Sequence, residues 1–373
     1  VHAGHDRASE SLARSSVEVD LLSDVLHTVR LTAALFFRVE IFPPWVMELP
    51  DGATLASTIS SRTQNVVSYH IVTRGACWGG LTGGEPVRLE AGDVLVFPRG
   101  DPYAMSTSRG MRGGPPREEI LTFMREMSAG RLPFVVREGG DGGEPMDLVC
   151  GFLGCDMRPF NPLLATLPRM IHLSGASGAR AQPLGRLIEL TIDESKTRRP
   201  GSESVRLRLS ELLFVEVVRE CLASLDSAQT GWLAALRDPT VARALALLHQ
   251  RFADAWTLDA LASEVGASRS TLAERFAYFV GQPPMQYLTH WRMQLAARLL
   301  EDKAAKVASV ALAVGYESEA AFSRAFKRIS GVSPAVWRVR RAVTRSREVL
   351  WRTRRDRARA GASGPPGAAA RRR

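Results

Sequence analysis

Cysteine is scarce in this chain. Four residues in 373, Cys77, Cys150, Cys155 and Cys221, do not make a disulfide scaffold. Cys150 and Cys155 have neither the spacing nor the companions of a zinc site. Buried, inert thiols are the plain expectation; the sharper alternative makes Cys77, Cys150 and Cys155 redox-active. Long apolar runs are missing too. No stretch reaches about 18 apolar residues, so no transmembrane helix and no membrane partner are expected. Residues 1–18 are polar, lack the apolar core of a secretory signal, and read as a disordered N-terminus. Together these absences point to a reducing, cytoplasmic setting.

What is present suffices for real cores. Hydrophobic residues make up 45% of the chain, and its length fits about two domains. Charge is unevenly placed. Residues 1–240 carry 25 basic and 29 acidic side chains, net −4. Residues 241–341 carry 14 and 8, net +6, and residues 342–373 carry 10 and 2, net +8. A slightly acidic part joined to a basic part is what an effector domain followed by a phosphate-binding domain would show.

Leu21 to Val29 is apolar at helical spacing. From Leu31 the period shortens. "ALFFRVEI", "VVSYHIVTRG", "ACWGGL", "PVRLEAGDVLVFPRG" and "PYAMST" are short β-branched and aromatic runs. Gly, Pro and Asp punctuate them about every 8–12 residues, which argues for an antiparallel barrel or sandwich. Residues 108–118 and 137–146 read as loops. "MDLVCGFLGCD" reads as the last strand or strands of the barrel. Pro183–Lys196 and Ser204–Leu225 read as an antiparallel helix pair, with apolar Leu213, Val217 and Val218 facing either the barrel or a second subunit. Gln229 to Pro239 reads as a linker tethered by Trp232 and Leu236. The Arg-rich stretch after Arg341 reads as a disordered tail adding sequence-independent phosphate affinity.

Between Leu258 and Pro334 one pattern is written twice. Leu272, Phe276, Gly281 and Pro284 recur 50 positions later as Phe322, Phe326, Gly331 and Pro334. Each copy is preceded by an apolar helical stripe, Leu258, Leu261, Ala262 and Val265 in the first and Val307, Val310, Ala311 and Val314 in the second. Gly266 and Gly315 end those stripes, and Ser268 and Ser318 are placed to cap the next helix. Two short helices joined by a tight Gly turn make a helix-turn-helix unit, whose second helix enters the major groove. The helix from Met285 to Glu301 joins the two units. Its length, roughly 25 Å at 1.5 Å per residue, suits two reading helices in major-groove segments about 34 Å apart.

The stretch from about Pro239 to Arg341 resembles the DNA-binding domain of the AraC/XylS transcription regulators. "LASEVGASRSTLAERF", "QPPMQYLTHWRMQLAARLL" and "VALAVGYESEAAFSRAFKRISGVSPAVWR" carry the resemblance. Upstream, Gly92-x5-Pro98-x-Gly100-x2-Tyr103 resembles the second motif of cupin barrels. AraC-type regulators often carry a cupin-like effector domain, and one subgroup resembles this chain from Asp20 onward. The expected architecture is therefore α+β: a cupin-like antiparallel β-barrel with a helix pair over 19–228, serving effector binding and oligomerisation, then an all-α DNA-binding domain over 239–341.

On the reading helices, the faces opposite the apolar stripes carry Ser270 and Glu274 in the first and Glu319, Ser323, Arg324 and Lys327 in the second, with Arg269 and Thr271 near the N-terminus of the first. Arg suits guanine O6 and N7, and Glu suits cytosine N4. The bland alternative has Arg324, Lys327 and Arg328 touching phosphates only. Family members often have a basic residue where Glu274 stands. Arg275 is expected to reach sideways, to the DNA backbone or an acidic neighbour. In the barrel, His70, Trp78 and Tyr103 are the candidate effector-binding residues. Tyr103 stands where the cupin motif supplies a His and Thr107 where it supplies an Asn, and the His-x-His of the first motif is missing after His70. No metal, cofactor or catalytic residue is therefore expected. That weighs against a cupin enzyme carrying a DNA-binding domain. A DNA-repair alkyl acceptor would need a Pro-Cys-His-Arg motif or a zinc-bound Cys cluster, and neither occurs. The reading is a transcription regulator controlled by a small molecule or a redox signal. Its expected partners are double-stranded DNA over two successive major grooves, the effector, RNA polymerase and a second copy of the chain.

Overall fold

A computed structural model describes residues 20–28, 31–60, 63–155, 160–175, 183–196, 199–224, 230–302 and 304–339. The two expected disordered ends, 1–18 and 342–373, lie outside the described residues. The described residues form a β-rich part followed by helices, an α+β chain.

Two sheets face one another. The larger has the order β10-β6-β3-β9-β1-β8, with β1 at Leu31–Phe42, β3 at Asn65–Arg74, β6 at Val94–Phe97, β8 at Val135–Gly139, β9 at Met146–Cys155 and β10 at Ile171–Leu173. The smaller has the order β2-β7-β4-β5, with β2 at Val46–Leu49, β4 at Ala76–Leu81, β5 at Val87–Glu90 and β7 at Tyr103–Ser106. Pairing is antiparallel except between β1 and β8, which run parallel. Two sequence readings are corrected here. "MDLVCGFLGCD" is not the end of the barrel, because β9 lies between β3 and β1 and β10 follows it. Residues 137–146 are not all loop, because they begin inside β8.

The period-2 pattern is hidden in β9 because both of its faces are covered. Met146, Leu148, Cys150 and Phe152 point towards the smaller sheet, while Val149, Leu153 and Cys155 point into a second core behind. Every residue of the strand is buried, so no polar residue marks a solvent face. Gly151 belongs to the rear face. A Cβ there would lie 1.9 Å from the Tyr69 ring, so the missing side chain is what lets that ring lie across the strand. The Tyr69 hydroxyl is then 2.8 Å from Ser210 Oγ, which ties the sheet to the helix covering it.

That helix is α6 (Ser202–Ser224), packed against α5 (Pro183–Lys196). Leu213, Val217 and Val218 are buried in the rear core, so they face the barrel. Near it lie α1 (Leu21–Thr28), α4 (Pro162–Thr166) and α7 (Trp232–Ala235). On the other side α2 (Gly52–Ile59) packs on α3 (Arg117–Ser128). The latter begins inside the stretch read as a loop over 108–118.

The rear core does not stop at the linker. It continues through α7 into α8 (Pro239–Gln250), α9 (Leu258–Val265), α10 (Arg269–Val280) and the first half of α11 (Pro284–Leu299). Trp232 is fully buried, its indole N–H donates to the Tyr287 hydroxyl at 3.0 Å, and the Gly231 N–H donates to the Phe279 carbonyl at 2.8 Å. The tethering expected of Trp232 is thus a packed joint. The second half of α11 (Met293, Ala296, Ala297) helps build a separate core with α12 (Val307–Ala313) and α13 (Glu319–Ser330).

Both units have the expected termini. Ser268 and Ser318 accept from the N–H groups of Thr271 and Ala321, and Gly266, Gly281 and Gly331 adopt left-handed conformations as helix C-caps. Arg292, midway along α11, donates to the carbonyls of Phe252 (2.6 Å) and Asp254 (2.7 Å) beside the first unit and of Gly315 (3.3 Å) in the turn of the second. It pins both units to the spacer. Arg292→Leu leaves three carbonyls short of a charged donor and is expected to cost at least about 2 kcal/mol. It should also weaken binding to a two-groove site more than to a one-groove half-site. Unchanged urea unfolding and an unchanged affinity ratio would remove this role.

Candidate effector cavity and nucleic-acid interface

Between the two sheets lies a cavity of about 600 Å³. Its wall comes from β1 (Phe37, Val39), Trp45 just before β2, Met47 within it, α3 (Ile120, Phe123) and β9 (Leu148, Phe152). The exposed residues among its lining are Pro44, Pro115, Glu119 and Gly139, which places the mouth between the start of α3 and the end of β8. Its polar side chains are His70, Cys150, Glu119 and Glu138.

The three expected effector residues separate. His70 lines the cavity, opposite Cys150 on the neighbouring strand. Its Nε2 is 2.6 Å from the Tyr103 hydroxyl and its Nδ1 is 3.2 Å from Cys150 Sγ. Burial pushes the imidazole down to about 3, so the ring is neutral and donates from one nitrogen only. Tyr103 stacks on Phe97 at 3.8 Å and reaches His70 from behind the cavity wall; it holds the histidine. Trp78 does not line the lumen. Its strand neighbours Cys77 and Gly79 are buried towards the interior, so the indole points out, half-exposed, with the Arg109 guanidinium 5.6 Å above it. The strand reading gave Trp78 the right element and the wrong phase.

Two cavity residues carried no sequence signal. Trp45 follows the Pro43–Pro44 pair, and its backbone N–H donates to Thr107 Oγ1 at 3.0 Å while the Thr107 N–H donates to its carbonyl at 3.0 Å. Its indole N–H donates to Glu138 Oε2 at 2.7 Å. Burial holds the Glu138 carboxyl above the usual range. Glu138 comes from the segment read as loop, and only the parallel pairing of β8 with β1 brings it to the cavity.

None of the four cysteines is in a disulfide, and all are buried. Burial pushes Cys77 up to about 12 and Cys221 up to about 11, and raises Cys150 well above the thiol range. Reactive cysteines need the opposite shift. Cys150 faces the inner core and Cys155 the rear core. Five residues apart on one strand, their Cα atoms are about 16 Å apart, against a limit of about 7 Å for a disulfide. Among the described residues no three His, Cys, Asp or Glu side chains gather as a metal group would.

On the DNA side, Arg269, Ser270, Thr271 and Glu274 are exposed on α10, and Glu319, Arg324 and Lys327 on α13, with Ser323 half-exposed. Arg269 is 3.7 Å from Asp259 in an exposed pair. Arg324 and Lys327 have no ion-pair partner among the described residues, so their heads are free to meet phosphate or base. Arg275 is engaged instead: it pairs with buried Asp238, whose other oxygen caps α8 through the Val241 N–H. It reaches the acidic neighbour of the two targets expected for it.

Family models match in two places, a cupin over residues 20–223 and a helix-turn-helix domain over residues 261–340. An AraC-like transcription regulator of Streptomyces lividans is 37% identical over 275 residues, 73% of this chain and 86% of that protein. The regulator AlkR of Acinetobacter baylyi is 27% identical over 323 residues, 86% of this chain and 99% of that protein. The solved DNA-binding domain of the global transcriptional factor AdpA, in complex with a target DNA, is 34% identical, covering 30% of this chain and 96% of that one with a TM-score of 0.27. The chain belongs to the AraC family of transcription regulators, with an N-terminal cupin domain and a C-terminal helix-turn-helix domain. It is a DNA-binding regulator and, like the relatives named for that role, not an enzyme.

The buried His70 ring gives the barrel a pH signature. Below pH 6.5 the unfolded chain takes up a proton there, while the folded chain does not until about pH 3. Stability should therefore fall on acidification through that window, by up to about 1.4 kcal/mol per pH unit. His70→Asn should flatten the acid limb of a urea-unfolding series by about one proton. An unchanged slope would show that His70 is not held neutral.

Proposed function

We propose that this chain is an effector-controlled regulator in which a small organic molecule occupies the barrel cavity and biases how the DNA-binding units are held. The observation that carries the reading is the shared sheet. Phe37, Leu148 and Phe152 line the cavity, while their strand neighbours Phe36, Val149 and Leu153 pack into the rear core that continues into α10 and α11. Side chains on the two faces of one strand cannot shift independently, so occupancy favours one arrangement of the rear core over another. Cavities of a few hundred Å³ with apolar walls and few polar groups suit small ligands. A redox signal has less support, since the thiols are buried and burial raises those of Cys77, Cys150 and Cys221.

The DNA contacts assigned to this function are Arg269, Ser270, Thr271 and Glu274 in one groove segment and Glu319, Ser323, Arg324 and Lys327 in the next. The setting is the cytoplasm, and RNA polymerase and a second copy of the chain are the further partners. Among the described residues no helix is long and apolar enough to cross a membrane.

Two measurements test this. Filling the lumen with Val39→Trp and Leu148→Phe should abolish the response of a reporter promoter, and the thermal shift, produced by active compounds from a panel of small apolar molecules. DNA affinity without compound should change less than about threefold. Equal compound responses in the filled variant and the parent would sink the cavity as the effector site. Separately, Arg324→Ala should cost about 1–3 kcal/mol on a mapped site if the guanidinium reads a base edge. An equal loss on random DNA would make it a phosphate contact.

A further inference from the structure

The charged side chains that line the cavity are all of one sign. Its lining holds two carboxylates, Glu119 at the mouth and Glu138 deeper in, and no Lys or Arg. His70, the one titratable nitrogen base among the lining residues, is held neutral by burial. The guanidinium groups nearest on flanking elements are engaged elsewhere: Arg38 with Asp147 at 3.0 Å, Arg112 with Glu48 at 2.9 Å, Arg137 with Glu40 at 3.0 Å, and Arg117 on α3 with Thr54 Oγ1 at 2.7 Å. Alternation along β8 explains the outward turn of Arg137. Val136 and Glu138 face inwards, so Arg137 between them faces out.

Glu138 is under-served where it stands. Its one hydrogen bond is the Trp45 indole N–H at 2.7 Å, and it has no ion pair among the described residues. A half-buried carboxylate with one neutral donor is poorly compensated, and a cation beside it would relieve that deficit. The Trp45 indole meets the carboxylate through its N–H edge and also lines the cavity, and an aromatic ring attracts cations where water is excluded. The rest of the wall is apolar and includes Phe37, Phe123 and Phe152, with Phe37 edge-on to Phe123 at 5.5 Å and stacked on Phe152 at 5.8 Å, a surface for the apolar part of a ligand.

We infer that the effector is a hydrophobic organic cation, its charged centre seated beside the Glu138 carboxylate and the Trp45 indole and its apolar groups against Phe37, Phe123 and Phe152. This rests on the reading that the lumen is the effector site, and it specifies the ligand chemistry. A carboxylate or sulfonate ligand meets Glu119 at the mouth and Glu138 inside with no basic side chain to receive it. Anions of otherwise suitable shape are thus rejected. A neutral apolar molecule fits the wall but leaves Glu138 as it was.

Tetraphenylphosphonium and tetraphenylborate are matched in shape and opposite in charge, and so test the claim directly. Calorimetry on the full chain should show one tetraphenylphosphonium per chain, bound at least about tenfold more tightly than tetraphenylborate. Glu138→Gln keeps an oxygen to accept from the Trp45 indole. It should weaken the cation by roughly tenfold or more while leaving tetraphenylborate unchanged or slightly better bound, with an unaltered melting temperature as the folding control. Glu119→Gln at the mouth should change cation affinity less. Equal affinities for the two ions, no binding of either, or a cation affinity indifferent to Glu138→Gln would each overturn the inference. Those outcomes leave the lumen as effector site standing if compounds of another class still act on the parent and not on the variant with the filled lumen. Loss of that difference is the separate result that removes the site itself.

Discussion

Burial of the six-stranded sheet on both faces is the constraint from which the rest of the structure follows. A strand such as β9, apolar on both sides, cannot stand at a surface, so it takes the middle of its sheet. Its inner face then needs the small sheet with α2 and α3, and its rear face needs α1, α4, α5 and α6. Tyr69 shows how tightly the rear is fitted. The ring occupies the space left by Gly151, and its hydroxyl finds Ser210 on α6 instead of remaining unpaired. A buried phenol without a partner would cost more than the hydrogen bond itself contributes. The inner face is less complete, and the space it leaves is the cavity.

Parts of this were legible in the sequence for an identifiable reason. The helical units could be read because their exposed faces are polar, so the stripe at Leu272 and Phe276, and again at Phe322 and Phe326, stands out against its surroundings. Gly and Ser at the ends then fix the helix limits. The face that carries Arg324 and Lys327 follows from the same period. The barrel could be read as strands but not as a sheet order, because an apolar run such as "MDLVCGFLGC" has no phase. The same loss of phase misplaced Trp78, which lies on the expected strand and points out of it. Of the cavity lining only His70 could be read. Trp45, Phe123, Glu138 and Leu148 come from separate segments, and two of those segments, around α3 and β8, are rich enough in Gly, Pro and charge to pass for loops.

Chemistry inside the barrel is set by exclusion of water more than by charge partners. His70 is neutral, Cys77 and Cys150 stay protonated, and Tyr103 is held far above its usual range, with burial as the leading cause each time. The triad of Tyr103, His70 and Cys150 resembles a catalytic arrangement in distance alone. A thiolate needs a cationic neighbour or an exposed position to form, and this thiol has neither. The triad is better understood as satisfaction of polar atoms in a dry interior: each has a partner, and each partner is neutral.

The two DNA-binding units are not equivalent in how they are attached. The first shares its core with the rear of the barrel, through Trp232, Leu245, Phe276 and Tyr287. The second has a core of its own around Phe322, Phe326 and Trp337. Among the described residues α11 belongs to both, with Tyr287 and Trp291 in one core and Met293 and Ala297 in the other, and Phe252, just after α8, packs against both as well. On the proposed reading, a shift on the inner face of the sheet reaches the first unit through side chains already in contact. It reaches the second through the spacer and through the segment after α8, where Phe252 packs on both cores and Ala253 lies against Gly315. Because Arg292 binds carbonyls on both sides of α11, the spacer carries the second unit with it rather than bending between them. On the proposed reading, in which α10 and α13 enter successive grooves, a lever of this kind would convert a small displacement at α10 into a change in where α13 meets the next groove. Two-groove recognition, which demands both helices in register, would then be the step most sensitive to that change.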